Sequence, residues 1–110
     1  MRKYVRDGKV AVLISPGFGS GWSTWNLNYP QMLFDPVIVE MLLNAKEGEE
    51  EFVTGQIEAH VETNYPDASF ISALEHLEVQ WISVGTEFIV DEYDGNEWIV
   101  FKDQMAWITA

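Results

Sequence analysis

The chain of 110 residues reads as an α+β protein. Three observations predict that class. Two apolar runs flank Asp7-Gly8 near the N-terminus, two helical stripes fill the middle, and three strand-like runs broken by glycine turns follow. Strands and helices are segregated along the chain, whereas alternation would mark a parallel sheet. The expected architecture is one domain over residues 1–110. It has a mostly antiparallel sheet, made of an N-terminal hairpin and a C-terminal three-stranded meander, with a helix pair packed on one face. With 47% apolar residues the chain can bury a core, despite a formal charge of −12.

Each element has a local reason. Tyr4–Arg6 and Lys9–Ile14 meet at Asp7-Gly8, a dipeptide that tolerates the two positive φ angles of a type I′ turn. Val10-Ala11-Val12-Leu13-Ile14 is apolar at every position, so this strand should be central and covered on both faces. Residues 15–30 carry three Gly, two Pro, two Trp, a Phe and a Tyr. That composition predicts an ordered loop whose aromatic side chains must pack somewhere. Ser23-Thr24-Trp25 fits either a short strand or a helical turn.

Asp35-Pro36 pairs an N-cap with proline at the first helical position, and the helix should run from Pro36 to about Lys46. A second helix should start at the acids Glu49-Glu50-Glu51, which suit the positive end of its dipole. Val53, Ile57, Val61 and Tyr65 recur every four residues as its buried stripe, and Pro66 ends it. Gly55 inside this helix costs about 1 kcal/mol relative to Ala. Residues 68–76 fit a short helix less clearly. Strands follow at Leu77–Ser83, Thr86–Tyr93 and Glu97–Phe101, with turns at Val84-Gly85 and Asp94-Gly95-Asn96. Residues 105–109 fit a last short strand or a packed tail.

Charge narrows the function. Arg2, Lys3, Arg6 and Lys9 hold four of the six basic side chains within nine residues. From Val10 onward 17 acids oppose only Lys46 and Lys102, a net −15. Such a surface repels phosphate backbones, so no direct nucleic-acid binding is expected. It attracts basic protein surfaces instead. The candidate contacts are Glu49, Glu50 and Glu51 in one run and Asp91, Glu92, Asp94 and Glu97 in another. With no Cys, a disulfide scaffold, a thiolate metal site and a Cys nucleophile are excluded. No apolar run approaches the roughly 18 residues of a membrane helix, so no membrane partner is expected.

Catalytic and cofactor motifs fail on spacing. Gly17-Phe18-Gly19-Ser20-Gly21-Trp22 nearly matches G-x-G-x-x-G, but Trp22 replaces the third glycine and no Lys follows. Ser20 is not in a G-x-S-x-G elbow, because Phe18 and Trp22 take the glycine places. The loop is then either a shaped cap for the core or a contact site using Phe18, Gly19, Gly21, Trp22, Trp25 and Tyr29. His60 lies in the helical stripe and reads as a core-edge histidine with one backbone partner. His76, between Glu75 and Glu78, reads as a surface residue. Asp91–Glu97 lacks the oxygen register of a calcium loop. No cofactor and no metal are expected.

The runs Asp7-Gly8-Lys9-Val10-Ala11-Val12-Leu13 and Ser15-Pro16-Gly17-Phe18-Gly19, continuing through Gly21-Trp22-Ser23-Thr24-Trp25-Asn26, resemble a family of small proteins of tailed bacteriophages and prophages. Leu33-Phe34-Asp35-Pro36, Val84-Gly85-Thr86-Glu87-Phe88 and Asp91-Glu92-Tyr93-Asp94-Gly95 are similar to later parts of it. The resemblance implies an accessory, non-structural phage protein acting in the bacterial cytoplasm. It supplies no catalytic residue.

The first expectation is therefore a non-enzymatic protein that binds and inhibits a basic host protein, such as an immune component, through its acidic surface. The second is a homo-oligomer that sequesters a small molecule such as a nucleotide in the Gly/aromatic loop. In that case the basic N-terminal residues of a neighbouring subunit supply positive charge. A carboxylate-dependent hydrolase is the third, with no spacing that selects a catalytic pair.

Overall fold

The computed structural model describes residues 1–104 and 108–110. Strands β1 (Val5–Arg6) and β2 (Lys9–Ile14) pair antiparallel across Asp7-Gly8, whose φ angles are 52° and 74°. Helices α1 (Pro36–Leu43) and α2 (Glu50–Asn64) follow the aromatic loop. Strand β3 (Glu78–Ser83) comes next, and then β4 (Phe88–Tyr93) and β5 (Asn96–Phe101). Short 3-10 turns occupy Pro30–Leu33, Ile71–Glu75 and Lys102–Gln104. The residues anticipated as a last strand or tail, 105–109, lie mostly outside the described part of the chain.

The α+β class holds, but the C-terminal meander does not form. β3 pairs with the free edge of β2, from Lys9↔Ser83 to Ile14↔Glu78, giving a three-stranded sheet in the order β1-β2-β3. β4 and β5 make a separate two-stranded sheet around Asp94-Gly95, at φ 50° and 83°. The reason lies in β2. Its side chains alternate between two faces, and Ala11, Val12, Leu13 and Ile14 are all fully buried. Ala11 and Leu13 pack with Ile38, Val39, Val53, Ile57 and Val61 of the helices. Val12 and Ile14 pack with Ile82 and with Phe88, Val90, Ile99 and Phe101. A meander within one sheet would have left the second face in water. The turn signal at Gly85 marks a change of direction, and burial decides what the next strand packs on. Each Val, Leu or Ile so buried contributes about 1.5–3 kcal/mol.

The helix starts follow from capping. Asp35 Oδ1 accepts the N–H groups of Val37 (2.9 Å) and Ile38 (3.4 Å), satisfying two donors that the first turn leaves free. α1 stops at Leu43, three residues before the expected end. The connection that follows is fixed locally, with Gly48 at φ 88° and Glu49 Oε1 accepting Lys46 N–H at 2.9 Å. α2 buries Val53, Ile57 and Val61, and Tyr65 leaves the helical conformation at φ −135°, just before Pro66. Both helices sit on one face of the three-stranded sheet, as expected. Among the described residues no helix is long and apolar enough to cross a membrane.

Candidate functional site

The aromatic loop closes onto the tip of the β4–β5 hairpin. Glu97 opens this contact from β5, with only 1% of its surface exposed. Its Oε1 accepts Ser15 N–H at 3.0 Å, and its Oε2 accepts Thr24 N–H at 3.1 Å and the Thr24 hydroxyl at 2.5 Å. Next to it, Asn96 Oδ1 accepts Gly17 N–H at 2.8 Å. Gly95, at positive φ, comes so close that a Cβ there would overlap the carbonyl of Gly19. The loop thus spends its Ser15, Gly17 and Thr24 amides on the hairpin, the same groups a bound phosphate would need.

The loop residues anticipated as one contact site divide. Trp22 is a core residue, fully buried with Nε1–H donating to Met32 C=O at 2.7 Å. Its own carbonyl accepts Asn26 Nδ2–H at 2.6 Å, and Asn26 also exchanges hydrogen bonds with Ser69 at 2.8 Å. Gly21 is buried against Thr24 and Trp25, and Gly19 lies against Ser72. Tyr29 is half-buried against the Tyr65 ring, with centroids 5.2 Å apart. Phe18 (70% exposed) and Trp25 (45% exposed) remain on the surface. Ser23-Thr24-Trp25 forms no strand and lies in a hydrogen-bonded turn, in which Asn26 N–H returns to Ser23 C=O at 3.1 Å.

The acidic residues divide as well. Glu49, Glu50 and Glu51 open α2 on the helix side of β2, whereas Asp91, Glu92 and Asp94 belong to the hairpin packed on its other side. Glu97 leaves the contact set, because its carboxylate is consumed inside the fold. Glu92 is half-buried, and its Oε2 accepts Gly95 N–H (3.0 Å) and Trp25 Nε1–H (3.3 Å). Asp91 and Asp94 are exposed.

The hairpin's outward face has a composition that the linear sequence did not single out. The register pairs Ile89 with Val100 and Asp91 with Trp98, so these side chains share one face with Tyr93. Ile89 is 49% exposed, Tyr93 72% and Trp98 39%. The signal was the strict alternation of β4. Phe88, Val90 and Glu92 turn inward, which sends Ile89, Asp91 and Tyr93 out.

A second polar cluster joins the two helices. Asp35 Oδ2 lies 2.9 Å from His60 Nε2 and accepts the Tyr65 hydroxyl at 2.5 Å. His60 therefore has a side-chain partner, not the backbone partner expected from its place in the stripe. Burial alone would raise the Asp35 carboxyl. Hydrogen bonds from Tyr65 and His60, the charge of His60 and the Val37 amide outweigh burial and hold it below the usual carboxylate value. The same carboxylate, with burial first, pushes the Tyr65 phenol well above its ordinary value. An ionised Asp35 only accepts, so His60 Nε2 carries the proton and Nδ1 faces the Asn64 amide at 3.3 Å. A cavity of about 320 Å³ opens beside the cluster, bordered by Arg2, Gln31 and Asn64. No hydroxyl nucleophile hydrogen-bonds to His60 among the described residues. The cluster ties the end of α2 to the cap of α1. Among the described residues no three His, Asp or Glu side chains converge as a ligand set.

Comparison with protein-family models, with curated proteins and with solved structures finds no match for this chain.

Proposed function

We propose that this chain is a non-enzymatic phage accessory protein that binds a basic surface on a host protein and blocks it. The observation that carries this reading is the outward face of the β4–β5 hairpin. Ile89, Tyr93 and Trp98 stand exposed there around Asp91, with Asp94 at the tip. Exposed aromatic anchors among like-signed charges suit a contact surface more than a solvated strand. The complementary partner is positively charged, because the hairpin's acids gain from Lys and Arg across an interface and steer their approach. The resemblance to phage and prophage proteins supports a bacterial host as the place where that partner is met. An immune component of the host is one such target.

The test is affinity capture from a bacterial host lysate, with the wild type and an Asp91→Lys/Asp94→Lys variant side by side. A specific protein should be retained at low salt, released as salt screens the contact, and lost with the variant. Retention unchanged by both salt and charge reversal would reject the reading.

A further inference from the structure

On the opposite side of β2 from the hairpin lies a groove of about 610 Å³ between α2, the end of α1 and the Ile71–Glu75 turn. Its floor is apolar, formed by Leu42, Val53, Ile57, Leu74 and Leu77. Its rim is acidic, with Glu50, Glu51, Glu58 and Glu75, and no basic residue lines it. Gly55 lies between Glu51 and Glu58 on the same helical stripe, at spacings of four and three residues. A Cβ at Gly55 would meet nothing within 4 Å, so neither packing nor a positive φ demands glycine there. Glycine in a helix interior is unfavourable. Its effect here is to leave the wall of the groove open between two glutamates.

We infer that this groove receives a basic amphipathic helix, presenting apolar residues to the floor and Lys or Arg to the glutamate rim. Charge complementarity selects that occupant. An acidic or neutral segment would leave four carboxylates facing apolar surface or one another, whereas cationic flanks pair with them as the floor is covered. The inference extends the reading that this chain binds basic proteins, but it rests on a different surface.

The experiment uses the full chain and a fluorescent peptide of Leu and Lys in amphipathic order. A second peptide of the same composition is scrambled so that its leucines spread round the helix. Anisotropy should show the ordered peptide binding at least about tenfold tighter than the scrambled one. Gly55→Leu should raise Tm by about 4 °C through helix propensity, yet weaken the ordered peptide by about tenfold or more by filling the groove. Glu51→Gln/Glu58→Gln, which leaves the floor intact, should reduce affinity and its salt dependence together.

Equal binding of both peptides, or binding indifferent to Gly55→Leu and to the rim variant, overturns the inference. So does loss of the peptide in Asp91→Lys/Asp94→Lys with Gly55→Leu unaffected, which assigns binding to the hairpin. Self-association of the wild type that Gly55→Leu abolishes also overturns it, since a second copy would then be the occupant. If peptide binding follows the groove while host capture fails, the proposed function falls and the groove stands. If capture succeeds and the peptide does not bind, the reverse holds.

Discussion

Ser15 and Glu97 hold each other through two hydrogen bonds, although 82 residues separate them in the chain. Glu97 N–H donates to Ser15 C=O at 3.0 Å, and Ser15 N–H donates to Glu97 Oε1 at 3.0 Å. The pair fastens the end of β2 to the start of β5, and so joins the three-stranded sheet to the hairpin. The carboxylate tolerates burial because three donors satisfy it.

Glu97→Gln should therefore destabilise the fold by about 2–3 kcal/mol, since a Gln amide turns N–H groups toward N–H donors. Denaturant titration measures it. Thr24→Val removes one donor and keeps the charge, and should cost less. Equal stability of Glu97→Gln and wild type would remove the latch from the description.

The Gly95 approach gives a sharper contrast. Gly8 and Gly95 both sit at positive φ, 74° and 83°, in two-residue hairpin turns. A Cβ at Gly8 meets nothing, and one at Gly95 overlaps the Gly19 carbonyl. Gly8→Ala should cost about 1 kcal/mol from backbone strain alone. Gly95→Ala should cost clearly more, because the hairpin tip must lift from the loop and strain its hydrogen bonds. Thermal unfolding of the two variants reads the difference directly.

Asp35 sets an acid limit on stability. Its carboxyl is held low in the folded protein, so its contribution is fully present above the unfolded value and is lost as pH falls through the folded one. Stability should drop below about pH 4, the ordinary carboxylate range. Asp35→Asn keeps an N-capping side chain and removes the charge, so this part of the acid loss should disappear. Tyr65 adds the opposite limb. Its raised phenol favours the neutral form, and stability should fall as pH rises above about 10, where the unfolded chain ionises first. Tyr65→Phe should lower stability by about 1.5–3 kcal/mol and flatten that limb. Urea midpoints across pH test both.

The hairpin face separates binding from folding. Tyr93 is mostly exposed, so Tyr93→Ala should change stability by no more than about 0.5 kcal/mol. The proposed binding role makes its ring an anchor, so in the lysate-capture test retention should fall by about tenfold or more. Trp22→Ala tests the opposite case. It empties a fully buried site and should cost about 3–5 kcal/mol, which makes it unsuited to probing a ligand.

Local chemistry was legible wherever one residue type answers one backbone need. Asp7-Gly8 produced its type I′ turn, Asp35-Pro36 produced a capped helix start, and Val53, Ile57 and Val61 produced the buried face of α2. The site was less legible. Phe18 and Trp22 stand four positions apart in one aromatic loop, yet one is exposed and the other is core. Composition states that aromatics must pack and does not state which. Glu97 looked like any acid in a solvated turn, because the three donors that bury it come from the far end of the chain.

The sequence by itself determined the α+β class, the Asp35 cap of α1, the two hairpin turns and the two-faced burial of β2. These follow from φ restrictions, orphan amides and apolar periodicity, which act within a few residues. Only the tertiary structure decided that β3 joins β2, that β4 and β5 form their own sheet, and that the acidic residues lie on two opposite sides. Those outcomes depend on which surface covers which, a choice made by burial between segments distant in the chain.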